Sequence, residues 1–115
     1  MTSKDLASKL AHLALTKKAE DIKILDLRKL TGITDFFVIC TGGSDTQVKA
    51  IADAIVDGSK QLGERPWHKE GFTNKSWVLL DYINVVVHVF LNETRKFYGL
   101  EKLWGDAPVR ALKDQ

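Results

Sequence analysis

The stretch Thr41-Gly42-Gly43-Ser44-Asp45-Thr46-Gln47 has the residue types of a phosphate cradle: two glycines and a hydroxyl where an apolar run of strand length gives way to a helical pattern. A nucleotidyl transferase built on such a turn also needs two or three carboxylates converging on magnesium, usually a pair one residue apart on a neighbouring strand. No Asp-x-Asp or Asp-x-Glu pair follows on any predicted strand; Asp53 and Asp57 fall in a helical pattern, and Asp81 stands alone. Ser44 and Gln47 instead match a capping box, in which the two side chains satisfy N–H groups at a helix start while Gly42 and Gly43 serve the tight turn.

Cys40, His88 and Asp81 could in principle assemble as nucleophile, base and orienting carboxylate, because a triad needs nearness only in space. Cys40, however, lies in the most apolar run of the chain, where a free cysteine acts as a small buried hydrophobe. His12, His68 and His88 lack the spacing of metal ligands, and Arg28, Lys29, Lys69 and Lys75 are scattered without interleaved aromatics. The residues thus point to no metal, no cofactor and no catalysis.

The elements that must carry these residues read as follows. Leu6, Leu10, Leu13 and Ala14 recur at helical spacing behind Thr2 and Ser3, predicting an amphipathic first helix. Residues 21–27 and 35–41 read as strands, the second central because it is continuously apolar. Val48, Ile51, Ala52, Ile55 and Val56 mark one stripe of a longer helix ending at Gly63, with Gly58 as a weak point. A short strand follows Pro66 at a sheet edge, then two strands, SWVLLDY and VVVHVFL, form a hairpin around Ile83 and Asn84. Asn92 is a candidate cap for a final helix interrupted at Gly99 and stopped by Gly105 and Pro108. The order αββαβββα predicts an α/β fold with a single mixed β-sheet of about five strands packed with helices in one layer pair.

All 115 residues fit one domain, with 44% hydrophobic and 28% charged residues. A net charge of +2 is too small to imply nucleic-acid binding by itself. A single cysteine excludes an intrachain disulfide and suits a reducing compartment. The first residues mix lysines among the apolar positions, so neither a secretory segment nor a membrane span is expected.

The hairpin register is more informative. With Ile83 and Asn84 at the tip, Tyr82 pairs with Val85, Leu80 with Val87 and Val78 with Val89, giving one apolar face for the helices. The other face then pairs Asp81 with Val86, Leu79 with His88 and Trp77 with Phe90. Two readings stay open: the closing helix or a neighbouring strand covers that face, or it is a recognition surface. Trp77 should lie there beside Phe90, outside the helix-covered core.

Over KKAEDIKILDLR, TDFFVICTGGSDTQVKAIADAI and WVLLDYINVVVHVFLNETRKFYGLEKLWGDAP the chain resembles the ribosomal silencing factors, also called the Iojap or RsfS family, found in bacteria, mitochondria and chloroplasts. The resemblance implies a nucleotidyl-transferase-like sheet without the catalytic carboxylates, and no enzymatic activity. It implies a partner, large-subunit ribosomal protein fourteen, on which the bound factor blocks joining of the small subunit and represses translation when nutrients are short. It also implies a cytoplasmic place, with organellar matrix or stroma open, and no membrane or sequence-specific nucleic acid. Signature residues carried over are Asp35, Phe36, Gly42, Ser44, Trp77, Asp81, His88, Phe90, Arg95, Tyr98, Leu103 and Trp104. Among them Trp77, Asp81, His88 and Phe90, with Leu79, share the predicted patch. Arg95 and Tyr98 border it, and Leu103 and Trp104 pack the last helix. The family usually has Gly-Asp at the hairpin tip; here Ile83 favours a looser four-residue loop, because Ile resists positive φ. Two other readings stay open: a nucleotidyl-transferase-like enzyme, and a homodimeric adaptor that uses part of the patch for self-association.

Overall fold

In the computed structural model, which describes residues 1–112, one mixed sheet organises the chain. Helix α1 (Ser3–Leu15) leads into β1 (Glu20–Asp26) and β2 (Phe36–Gly42), and α2 (Asp45–Gln61) follows. Then come β3 (His68–Glu70), β4 (Trp77–Asp81), β5 (Val85–Leu91), α3 (Asn92–Tyr98), α4 (Leu100–Leu103) and β6 (Val109–Leu112). The strand order is β3-β4-β5-β2-β1-β6; β2 and β5 run parallel at the centre and the other neighbours are antiparallel.

Local chemistry accounts for the element ends. Thr2 Oγ1 accepts from the Asp5 N–H at 3.1 Å, capping α1. Helix α2 runs unbroken through Gly58 and stops before Gly63, whose φ of +81° suits a helix end. The final helix breaks in two at Gly99, which takes a left-handed conformation with φ +57°. Asn92 is not a cap: Leu91 holds the N-cap position of α3, and no side chain satisfies the first turn.

Alternation within the strands creates two faces of different character. Ile22, Ile24, Val38, Cys40, Val78, Leu80, Val85, Val87 and Val89 pack beneath Leu6, Ala7 and Leu10 of α1 and Val48, Ile51 and Ile55 of α2. Leu25, Leu27, Ile39, Phe90 and Ala107 form a smaller cluster on the other face, against Trp77, Leu100 and Trp104. The packing is therefore not one layer pair; α3 and α4 partly cover the second face.

The hairpin follows the expected register at all five β4–β5 pairs, from Trp77–Phe90 to Asp81–Val86. Its tip does not relax into a four-residue loop. The Tyr82 N–H donates to the Val85 carbonyl at 2.8 Å, and Ile83 adopts φ +73° with its N–H held by Asp81 Oδ1 at 2.7 Å. That side-chain bond supports a conformation a β-branched residue resists. The sheet also has six strands where about five were expected: after Pro108 the chain resumes as β6 and pairs antiparallel with β1.

Candidate functional site

At the glycine turn, the Gly43 and Thr46 N–H groups, which would face a phosphate, are taken by side chains of the protein itself. Gln47 Oε1 accepts from the Gly43 N–H at 2.6 Å, and Ser44 Oγ accepts from the Gln47 N–H at 3.1 Å. The reach of Gln47 is thus one residue further than to the N–H of Ser44 itself. Its amide nitrogen donates to the carbonyls of Lys17 and Lys18, both at 3.2 Å, tying the start of α2 to the end of α1. A methyl on Gly42 would lie 2.9 Å from Val48, so glycine there serves close helix–strand packing. The hollow beside the turn carries Asp45 and Glu93, charges that oppose an anion. Among the described residues no three His, Cys, Asp or Glu side chains gather as a metal site.

The Cys40–His88 pair is separated by the sheet. In the parallel β2–β5 register Ile39 lies beside His88 and Cys40 beside Val89, so Cys40 points to the α1–α2 face and His88 to the other. Burial pushes the Cys40 thiol up to about 12, which keeps it protonated and inert. Burial also pulls His88 down to about 3, leaving its ring neutral. Trp77 Nε1–H donates to His88 Nδ1 at 3.1 Å, so the ring proton sits on Nε2, which has no hydrogen-bond partner among the described residues and packs beside Phe37. The other histidines are apart, His12 bonded to the Ser8 carbonyl at 2.7 Å and His68 to Glu70 at 2.9 Å. Arg28 is engaged by Asp26 at 2.6 Å, and Lys69 lies over Phe72.

What the fold does assemble is an aromatic surface on the second face. Trp77 stands 4.9 Å from Phe90 and 4.7 Å from Tyr98 between ring centroids, and Phe97 adjoins Tyr98 at 5.1 Å. Residues expected to share this patch divide by depth. Phe90 is 1% exposed and His88 4%, so both support the surface from beneath. Trp77, Leu79 and Asp81 are half-buried, and Tyr98 is exposed. Arg95 is buried: its Nη1 donates to the Asp21 carbonyl at 2.7 Å and to Thr41 Oγ1 at 2.8 Å, and its Nε to Glu101 at 2.8 Å. It clamps α3 and α4 onto β1 and β2 rather than bordering a patch. Trp77 also supplies the hydrogen bond to Nδ1 of buried His88, so its removal would cost fold stability as well as surface.

Of the remaining signature residues, Asp35 accepts from Ser3 Oγ at 2.7 Å and Phe36 is buried beneath the Arg28 guanidinium. Trp104 packs near Phe37, but Leu103 is 72% exposed and does not pack the last helix. Phe97, which the helical spacing groups with Leu100, Leu103 and Trp104, is 82% exposed; adjacent aromatics on a helix cannot both face one sheet when each residue turns about 100°. Trp67 and Ile33 also stand exposed near the hairpin tip, where only their distance from any covering element could have flagged them.

Comparison with known proteins places this arrangement. The sequence profile of the family described as "Ribosomal silencing factor during starvation" matches residues 1–115. The chain is 45% identical over 112 residues to Ribosomal silencing factor RsfS of Bacillus subtilis, covering 97% of this chain and 95% of that protein. It is 35% identical to "Mitochondrial assembly of ribosomal large subunit protein 1" of Mus musculus, covering 92% of this chain and 46% of the mouse protein. A crystal structure of a protein from Chromobacterium violaceum superimposes with a TM-score of 0.89 at 33% identity, covering all of this chain and 92% of that one. With a silencing-factor profile matched along its whole length and a Bacillus subtilis relative 45% identical over nearly all of both chains, the chain belongs to the ribosomal silencing factor family.

Proposed function

We propose that this chain binds the large ribosomal subunit through ribosomal protein fourteen and, once bound, sterically prevents the small subunit from joining. One observation carries the reading: next to the α3–α4 cover, the second face of the sheet presents Trp77, Leu79 and Tyr98 as a continuous part-exposed surface with Asp81 at its margin. Aromatic anchors with a polar minority are what protein interfaces select, and rings braced from beneath lose little freedom on docking. The family name, and the large-subunit role in the mouse relative's name, support the ribosome as the partner. A bound protein of this size needs no chemistry to repress translation; it needs only to occupy a surface that the small subunit must reach.

The expected result separates binding from folding. Leu79→Lys places a charge in the proposed contact without touching the α1–α2 core, and should lower affinity for purified large subunits at least about thirtyfold, roughly 2 kcal/mol. Its thermal midpoint should stay within a few degrees of the parent. Trp77→Ala should weaken binding comparably and lose some stability through His88. Leu80→Ala, one residue along and fully buried on the other face, should lose fold stability first. Sedimentation of each variant with large subunits, and assay of subunit joining, provide the measurements. Parental binding by a folded Leu79→Lys would remove this face from the interface.

A further inference from the structure

Beside the aromatic surface, at the hairpin end of the sheet, lies an open hollow of about 440 Å³ lined by Ile33, Thr34, Trp67, Asp81, Ile83 and Val86. Three of these are unusually exposed for apolar residues: Ile33 at 87%, Trp67 at 74% and Ile83 at 57%. Their backbones are tethered. The Trp67 N–H donates to the Asp81 carbonyl at 2.7 Å, and the Ile83 N–H to Asp81 Oδ1 at 2.7 Å. One polar group in the hollow is under-used: Asp81 makes no salt bridge and its Oδ2 no hydrogen bond among the described residues. No basic side chain lines the hollow, and His68, opposite Asp81 in the β3–β4 register, is bonded to Glu70.

An uncompensated carboxylate beside an exposed indole and aliphatic walls is complementary to one side-chain type. We propose that this hollow receives an arginine from the protein on which the chain docks, an inference that rests on the ribosome-binding reading. The guanidinium lies over the Trp67 ring and donates to the free oxygen of Asp81, while its methylene stem covers Ile33 and Val86. A planar guanidinium uses both the ring face and the carboxylate; a lysine ammonium is held more tightly by water and offers no fork. The same charge decides between the two materials of a ribosomal surface. A carboxylate set against RNA phosphates is repelled, so the hollow selects protein.

The test uses the whole chain and purified large subunits. Asp81→Asn keeps an oxygen to accept the Ile83 N–H and removes only the charge; Trp67→Ala removes an exposed ring. Each should weaken binding at least about tenfold with an unchanged thermal midpoint, and the double variant should lose much less than the product of the two, because both act on one side chain. Parental affinity in either single variant overturns the proposal while leaving the ribosome-binding reading in place. Tighter binding by Asp81→Asn overturns it in favour of RNA against this end of the sheet. Failure of the unaltered chain to bind overturns the underlying reading and the proposal together.

Discussion

Arg95→Met should lower the unfolding free energy by about 3 kcal/mol, because it removes one member of a buried charge network and strands the others. Arg95 is the point where α3, α4, β1 and β2 meet: Glu101, Thr41 and the Asp21 carbonyl all converge on its guanidinium. The Arg95 hydrogen bond is the main reason the Glu101 carboxyl is held below its usual range. The expected cost falls at the low end for such networks because Glu101 keeps Lys23 at 3.2 Å and some access to water. Helices α3 and α4, with 7 and 4 residues, are far too short to persist unaided. Amides of residues 92–103 should therefore exchange faster than the core in the variant. Arg95→Lys should fall between, since one ammonium cannot span three acceptors set around a fork. A denaturation midpoint unchanged in Arg95→Met would mean that the clamp contributes little.

The second large effect is on pH. His88 titrates near 3 in the fold because burial disfavours its charged ring, against an ordinary value of 6.5. The unfolded chain therefore binds the proton first as pH falls. The His88 contribution to stability is complete above pH 6.5 and is lost progressively towards pH 3, at about 1.4 kcal/mol per pH unit. Down to about pH 4.5, the ordinary value of Glu101, the expected loss, roughly 2 kcal/mol relative to pH 6.5, belongs to this ring. Below that, Glu101 joins it. The groups around the ring are Trp77, Phe37 and Phe90, none able to stabilise an imidazolium by charge. His88→Gln, which keeps an acceptor for the Trp77 indole, should flatten urea-derived stability between pH 6.5 and 4.5. A slope that persists in this variant would place the titrating group elsewhere.

The parts of the fold that could be read from sequence were those set by local alternation. Val78, Leu80 and Tyr82 against Val85, Val87 and Val89 specify one face and one register, since a slip by one residue would turn every valine to water. The resemblance over the final stretch carried the family. Depth on the second face was not legible, because burial of His88 and Phe90 depends on α3 and α4 being pinned there by Arg95 reaching Asp21 and Thr41, far away in sequence. Strand β6 was hidden for a related reason. VRAL, following Pro108, has no alternation of its own, and only the open edge of β1 makes it a strand. At Ile83 the steric preference of the residue pointed to a loose loop, and the Asp81 carboxylate, holding the Ile83 N–H, opposed it.

The strand order bears on how the chain is made. Strands β1 and β2 form one neighbouring pair and β3 and β4 another, and β5 lies between β2 and β4, so the two halves share no continuous sheet until residues 85–91 arrive. The edge closes later still, when Leu112 meets Ile22. During synthesis an incomplete chain would expose β4 and the apolar β2 as unpaired edges. Pairings between such distant segments incur a loop-closure cost before any burial offsets it, which places this domain among the slower folders for its size. A member of the silencing-factor family thus completes its own sheet only after residue 112 has left the ribosome that makes it.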